Sequence, residues 1–263
     1  MGIDQKNLLV GNYMTAYPIS VAPNIPLKTI VDFMASKSIA TMVVMESNST
    51  MPRGIFTERE ILHHISSEGK IPDKQIKEVS IQPFVSITPD TTIVDAARIM
   101  ITKKSRLLVF ADTDKLVGII TASDMLRALR KTRRAPNLEK VISNKIHECS
   151  PDDSILTAAK ILDKHGIGSV IVSKDASHSI FTQRDLVRVL EKGIDLNEKV
   201  GRYSSSPLIT AKRGILGNEA ASIMAAHNIK RLVLTSNGDI SGIVTARDVV
   251  DAFQMEHGGP EGF

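Results

Sequence analysis

The heptapeptide Gly118-Ile119-Ile120-Thr121-Ala122-Ser123-Asp124 recurs three more times, and this repetition decides the fold of the chain. The other copies are Gly54-Ile55-Phe56-Thr57-Glu58-Arg59-Glu60, Ser179-Ile180-Phe181-Thr182-Gln183-Arg184-Asp185 and Gly242-Ile243-Val244-Thr245-Ala246-Arg247-Asp248. Their first residues are 64, 61 and 63 positions apart within the 263 residues. A short motif that returns at a nearly constant period indicates a repeat architecture, so we divide the chain into four repeats.

The residues around each motif predict the same run of elements. A short apolar stretch, typical of a buried strand, precedes every motif: Met42–Met45, Leu107–Phe110, Val170–Val172 and Leu232–Leu234. Helical spacing of apolar residues predicts an amphipathic helix before each strand, with these faces: Leu27, Ile30, Val31, Met34; Ile93, Ala96, Ala97, Met100; Ile155, Ala158, Ala159, Leu162; and Ile215, Glu219, Ala220, Ile223. A second helix follows each motif, over Ile61–Ile65, Met125–Leu129, Leu186–Leu190 and Val249–Phe253.

This pattern predicts an α/β (α+β) fold of four β-α-β-β-α units. The predicted bounds are residues 1–66, 72–130, 137–192 and 196–255, with a basic linker over 131–140 and a tail over 256–263. Units one and three carry Thr41 and Ser169 before the central strand, whereas units two and four carry Arg106 and Arg231. The alternation favours duplication of a pair, and hence two domains at roughly 1–130 and 140–255, because a unit of about 60 residues is marginally stable alone.

Composition excludes several classes of protein. No run of about 18 apolar residues predicts a membrane-spanning helix, and the polar residues of Met1–Val10 do not resemble a secretory signal, so we expect a cytoplasmic protein. The lone Cys149 cannot form an internal disulfide and is expected to be a buried thiol. The net charge of +4 comes from one basic run: Arg127, Arg130, Lys131, Arg133 and Arg134. Without that run, 28 basic residues face 29 acidic ones.

The Thr-x-x-Asp/Glu part of the motif has two interpretations. It is a capping box, in which the Thr hydroxyl and the acid satisfy backbone N–H groups at the start of a helix. The same geometry suits a nucleotide, because a helix N-terminus attracts phosphate and a carboxylate can accept both hydroxyls of a ribose. Two details favour the nucleotide. Three copies have Asp rather than the Glu that a capping box prefers, and arginines stand beside the motif acids and the core strands. An ion pair with a neighbouring acid is the alternative explanation for these arginines.

No motif for catalysis or metal binding is present. The sequence lacks His-Glu-x-x-His, Gly-x-Ser-x-Gly and Walker-type patterns. We therefore expect no catalytic residues, no metal site and no cofactor.

The four motifs resemble those of the cystathionine β-synthase (CBS) domain family, over about residues 8–255. The family signature, Gly-h-h-Thr-x-x-Asp, is matched in full at Gly118–Asp124 and Gly242–Asp248. The resemblance implies four tandem CBS units paired into two Bateman modules, whose clefts commonly bind adenosine-containing ligands such as AMP, ADP, ATP or S-adenosylmethionine.

The resemblance also implies roles for individual residues. Ribose would be held by Asp124, Asp185, Asp248 and, as the weakest candidate, Glu60. Phosphate would be contacted by Thr57, Thr121, Thr182, Thr245, Arg184, Arg247, Arg106, Lys230 and Arg231. Adenine would be enclosed by Ile19, Val85, Ile209, Ile119 and Ile243. The departures are Glu60 in place of Asp, Ser179 in place of Gly and Ser123 in place of Arg. We therefore expect the fourth unit to have the most complete site and the first to be empty.

The resemblance implies a non-enzymatic regulatory protein that senses adenine nucleotides and relays ligand state to a partner protein. A homodimer of the chain is the other association that the resemblance implies. A nucleic-acid-binding or scaffold protein that uses the basic run, with empty clefts, is the alternative. No membrane partner is expected.

Overall fold

A computed structural model of the chain describes residues 8–255 except 80, 113 and 176. Strand β1 (Thr15–Ala16) precedes the repeats, and the predicted β-α-β-β-α order is confirmed in all four. Repeat one comprises β2 (Ser20–Val21), α1 (Leu27–Lys37), β3 (Thr41–Val44), β4 (Gly54–Thr57) and α2 (Glu58–Glu68). Repeat two comprises β5 (Phe84–Ile87), α3 (Ile93–Lys103), β6 (Arg106–Ala111), β7 (Lys115–Ile120) and α4 (Ala122–Leu129). Repeat three comprises β8 (Glu148–Cys149), α5 (Ile155–Lys164), β9 (Ser169–Lys174), β10 (Ser177–Thr182) and α6 (Gln183–Glu191). Repeat four comprises β11 (Thr210–Lys212), α7 (Gly217–Ala226), β12 (Arg231–Ser236), β13 (Asp239–Thr245) and α8 (Ala246–Met255).

Each repeat contributes one small sheet. The middle strand runs parallel to the first and antiparallel to the third, and the helix that follows the third strand starts directly after the motif Thr. The sheet of repeat two gains β1 as a fourth strand on the free edge of β7. In every repeat, the residue that opens the middle strand lies opposite or next to the motif Thr.

The apolar faces predicted for the first helices are confirmed in repeats one to three, where the named residues of α1, α3 and α5 are buried. The prediction for repeat four is wrong. Helix α7 begins at Gly217, so Ile215 lies outside it, and Glu219 is exposed. The buried face consists of Gly217, Ala220, Ala221 and Met224. Small side chains on this face made the sequence periodicity weak, and the predicted face was out of phase by one residue.

The chain forms two compact units, and each combines alternate repeats. The odd unit holds repeats one and three (Ile19–Gln82 and Ile146–Leu208), and the even unit holds repeats two and four, within residues 8–18, 83–145 and 209–255. In the odd unit α1 packs against α6, and α2 against α5; in the even unit α3 and α4 pack against α8. The division therefore does not follow the expected bounds of 1–130 and 140–255. Its cause is that the amphipathic helices bury their apolar faces against helices of the alternate repeat.

A short crossing segment packs against the motif strand of each repeat. Residues Thr15, Gln82, Ser143 and Ser205 pair through their backbones with the second residue of a motif, at Ile119, Ile55, Ile243 and Ile180 respectively. This contact explains the motif glycine. A Cβ at Gly54 would lie 2.8 Å from the carbonyl oxygen of Gln82, and one at Gly242 would lie 2.5 Å from Ile142. In repeat three Ser179 occupies the position, and its hydroxyl lies 2.7 Å from the hydroxyl of Ser204.

Candidate functional site

The motif Thr and acid form the same hydrogen bonds in all four repeats. The backbone N–H and the hydroxyl of Thr245 both donate to Oδ2 of Asp248 at 2.8 Å. The corresponding distances lie between 2.7 and 2.9 Å in the pairs Thr57–Glu60, Thr121–Asp124 and Thr182–Asp185. The capping-box interpretation is therefore confirmed, and in each repeat it uses one carboxylate oxygen. The second carboxylate oxygen is the one available for other chemistry.

The second carboxylate oxygen has a different residue as its partner in each of repeats one to three. In repeat one, Gln82 Nε2 donates to Glu60 Oε1 at 2.9 Å. In repeat two, the Arg127 guanidinium lies 2.7 Å from Asp124 Oδ1. In repeat three, Arg188 forms a longer ion pair of 3.6 Å with Asp185 Oδ1. In repeat four, no residue in the described part of the chain donates to Asp248 Oδ1.

Three basic residues lie next to Thr245 along the backbone of the fourth motif. Arg231 lies opposite Thr245 across the β12–β13 ladder, and the Lys230 carbonyl accepts a hydrogen bond from the Ala246 N–H at 2.9 Å. Arg247 is half-buried and donates to the Met100 carbonyl at 2.8 Å. Burial lowers the pKa of the Arg247 guanidinium, against the opposing charge of Asp248. Four predicted phosphate contacts (Thr245, Lys230, Arg231 and Arg247) and the predicted ribose acid thus lie at one end of this sheet.

One turn beyond Asp248, Asp251 is half-buried on the same helix. Burial, together with the like charge of Asp248, raises the pKa of the Asp251 carboxyl. Asp185 in repeat three is also affected by burial, which raises its pKa although the Thr182 hydrogen bonds and the Arg188 charge oppose the change.

The first motif is the most enclosed. Thr57, Glu58 and Glu60 are all buried, and Arg184 of α6 lies 3.8 Å from Glu58. Beside it is a cavity of about 310 Å³, lined by Arg59, Glu60, His63, His64, Gln82 and Asp163. Arg184, a predicted phosphate contact, therefore faces a carboxylate of the odd unit.

Arg106 corrects one premise of the sequence argument. An arginine beside a buried strand favours an anionic ligand or an ion pair with an acid, yet the Arg106 side chain is exposed. It stands at the first position of β6, where the strand leaves the core, so no desolvated charge has to be offset.

The predicted adenine residues lie in or just before the strands that flank the middle strand of their sheets. Ile209 precedes β11 and Ile243 lies in β13, so β12 separates them in repeat four. Val85 and Ile119 are separated in the same way by β6 in repeat two. Ile119 is buried, whereas Ile19, Val85, Ile209 and Ile243 are partly exposed.

Sequence reasoning missed the groups that meet the second oxygen. Arg127 entered only as part of the basic run, and Arg188 was not considered, although both stand three residues after a motif acid, where helical side chains meet. That spacing was a usable signal. No sequence signal pointed to Gln82, because its contact with Glu60 depends on how the crossing segment packs against the motif strand.

The basic linker belongs to the even unit and is partly buried in it. Thr132, Pro136 and Leu138 are buried, and the Pro136 carbonyl accepts a hydrogen bond from the Gly217 N–H at 2.8 Å. Arg130, Lys131 and Arg133 are exposed. The linker thus presents its charges from an ordered segment. The tail over 256–263 lies outside the described residues.

Cys149 is buried, as expected, and burial raises the pKa of its thiol to about 11. Within the residues that the structure describes, no group of three or more His, Cys, Asp or Glu side chains could hold a metal ion. The described helices include none that is both long and apolar enough to cross a membrane.

Comparison with known proteins gives the family. The CBS domain model matches four segments, residues 10–67, 76–131, 138–192 and 200–254. The chain belongs to the CBS domain family. The uncharacterized protein MK0525 of Methanopyrus kandleri is 34% identical over 122 residues, which are 44% of this chain and 62% of that protein. The uncharacterized protein MJ1225 of Methanocaldococcus jannaschii is 27% identical over 64% of this chain and 67% of its own length.

Two solved structures share this fold over nearly the whole chain. The crystal structure of MJ1225, described as a proposed archaeal homologue of g-AMPK, superposes with a TM-score of 0.79 at 19% identity, covering 94% of this chain and all of that chain. An uncharacterized conserved protein from Pyrococcus horikoshii gives a TM-score of 0.65 at 18% identity, covering 93% and 99%. The chain also matches 34% of the length of an inosine-5'-monophosphate dehydrogenase from Staphylococcus haemolyticus, at 28% identity.

Proposed function

We propose that this CBS protein is a non-enzymatic regulatory protein that binds an adenosine-containing ligand, with the fourth motif as its principal site. The ligand class is AMP, ADP, ATP or S-adenosylmethionine. The observation that carries the proposal is Asp248 Oδ1, a carboxylate oxygen without a donor among the described residues, beside the N-terminus of α8. A carboxylate in this position can accept the two hydroxyls of a ribose.

Phosphate binding would use the same end of the sheet. The N-terminus of α8 provides free backbone N–H groups and a positive dipole end, and Lys230, Arg231 and Arg247 provide positive charge next to Thr245. Ile209 and Ile243 would then contact the adenine. The likeness to MJ1225 supports the fold in which these residues lie.

Regulation follows if the ligand binds two conformations of the protein with different affinity, because only differential binding shifts a conformational equilibrium. The protein would act in the cytoplasm as a sensor of energy state, and a partner protein, or a second copy of the chain, would respond to the shift.

Calorimetry and thermal unfolding with AMP, ADP, ATP and S-adenosylmethionine test the proposal, with GMP as the base-specific control. A ligand at 100 times its Kd should add about 2.7 kcal/mol to the free energy of unfolding. We expect at least one adenosine compound to raise Tm and release or absorb heat, and GMP to do neither. Absence of both signals for all four compounds at millimolar concentration would overturn the proposal.

A further inference from the structure

The four motif acids differ in what stands three residues after them. The residues are His63, Arg127, Arg188 and Asp251. Side chains three apart on a helix are neighbours, so this position can reach back to the acid. Arg127 and Arg188 do so, whereas the carboxylate of Asp251 has no N–H group to donate to the acid.

Arg127 is fixed in its contact. Besides Asp124 Oδ1 at 2.7 Å, its guanidinium donates to the Tyr13 carbonyl at 3.2 Å, and the Asp124 side chain is only 6% exposed. The contact of Arg188 with Asp185 Oδ1 is longer, at 3.6 Å, although both arginine side chains are about half exposed. The two arginines thus contact the equivalent oxygen, Oδ1, of their own motif acids at different distances.

Counting acceptor sites shows the consequence. A carboxylate has about four lone-pair sites, two on each oxygen. The motif Thr uses both sites of Oδ2 through its N–H and hydroxyl. A ribose diol brings two donors and needs both sites of Oδ1. At Asp124 one of these sites is taken by Arg127, whereas at Asp248 none of the described residues takes either site.

Repeat four reverses the charge at this position. Asp251 stands one turn after Asp248 on α8, and an ionised carboxylate has no hydrogen to donate to Oδ1. In repeat one, His63 instead lies 3.3 Å from Asp163, and Glu60 is held by Gln82.

We propose that the residue three positions after the motif acid determines which repeats accept a ribose. Arg127 and Arg188 act as internal latches on Asp124 and Asp185, and Asp251 keeps Asp248 open. This inference rests on the proposed function and deepens it: it predicts that ribose affinity falls from repeat four to repeat three to repeat two, following the latch distances.

The test is calorimetric titration of the full chain with AMP and with 2',3'-dideoxy-AMP, which lacks the ribose diol. We expect Asp251→Arg to weaken AMP binding about tenfold or more, since a charge-assisted hydrogen bond contributes about 1.5–3 kcal/mol, and to leave dideoxy-AMP nearly unaffected. Asp239→Arg is the matched control, because it makes the same charge change at an exposed position of β13.

Arg188→Ala should add AMP-binding capacity at repeat three, visible as a higher molar stoichiometry. Arg202→Ala is its control, since Arg202 forms an exposed ion pair with Glu198 in the same unit, at 2.7 Å. The latch proposal would be overturned if Arg188→Ala left the AMP stoichiometry unchanged. It would also be overturned if Asp251→Arg reduced the affinities for AMP and dideoxy-AMP equally.

Failure of the proposed function gives a different pattern. If the natural chain binds no AMP but the Arg127→Ala/Arg188→Ala double variant does, the latch stands and the fourth motif is not the principal site. If neither protein binds AMP, both proposals fall.

Discussion

Gly54 offers the sharpest test of the crossing segments. A methyl group at this position would lie 2.8 Å from the Gln82 carbonyl oxygen and 2.9 Å from Ile81. The Gln82 backbone cannot easily move away, because its N–H and carbonyl both form 2.8 Å hydrogen bonds with Ile55. Overpacking costs about 1–3 kcal/mol, and each weakened backbone bond adds about 0.5–1.5 kcal/mol. We therefore expect Gly54→Ala to lower the free energy of unfolding by about 2–3 kcal/mol.

Two variants at the same motif position serve as controls. In Gly118→Ala the methyl group would meet the Met14 sulfur, a flexible side chain that can rotate away, so the loss should be about 1 kcal/mol. Ser179→Ala keeps a Cβ that is already accommodated and loses the hydrogen bond to Ser204, again about 1 kcal/mol. Urea unfolding of the three variants measures the differences. If Gly54→Ala is no less stable than the two controls, the glycine has not been explained by the crossing segment.

Three further predictions concern the Cys149 thiol, the Asp185 carboxyl and the exposed cations at and after the end of α4. The Cys149 thiol, with a pKa near 11, should react with a thiol reagent at pH 8 far more slowly in the native protein than in urea; equal rates would contradict its burial. The pKa of Asp185 is raised in the folded state, so the native state binds more protons and stability should fall as the pH rises from the ordinary Asp pKa, near 4, through the folded value. Asp185→Asn should remove that part of the pH dependence in urea titrations, and an unchanged profile would contradict the assignment. Replacing the exposed linker cations Arg130, Lys131 and Arg133 with Ser should leave retention of a short RNA unchanged and weak, whereas strong retention lost in the variant would favour nucleic-acid binding.

The repeat made most of the fold predictable from sequence. Four copies of the motif at a nearly constant spacing predicted the order of the secondary-structure elements. Helical spacing of apolar residues predicted the buried faces of α1, α3 and α5. In α7 the buried face is Gly217, Ala220, Ala221 and Met224, and small residues carry little periodic signal. Local pattern thus succeeded wherever a helix buries large side chains.

The grouping of repeats was beyond local pattern. Each first and second helix presents an apolar face, but the sequence does not state which repeat covers it, and the odd and even units are long-range outcomes. The crossing segments are likewise long-range, so the reasons for Gly54 and Ser179 became visible only with their neighbours in place.

The candidate site was predictable in its capping geometry and not in its second oxygen. Thr-x-x-Asp predicted the bonds from Thr245 to Asp248, which are present. The partner of the other oxygen varies from Gln82 to Arg127 to Arg188, and only the arginines stand at a spacing that sequence can reveal.

Titration of AMP into the natural chain, Asp248→Ala and Glu60→Ala tests the central claim most directly. Among the described residues no group donates to Asp248 Oδ1, whereas Glu60 accepts hydrogen bonds on both oxygens, from Thr57 and from Gln82. Loss of a charge-assisted hydrogen bond of about 1.5–3 kcal/mol predicts that Asp248→Ala weakens AMP binding tenfold or more, and that Glu60→Ala weakens it much less. Equal weakening by the two substitutions, or AMP binding that survives Asp248→Ala unchanged, would contradict the account.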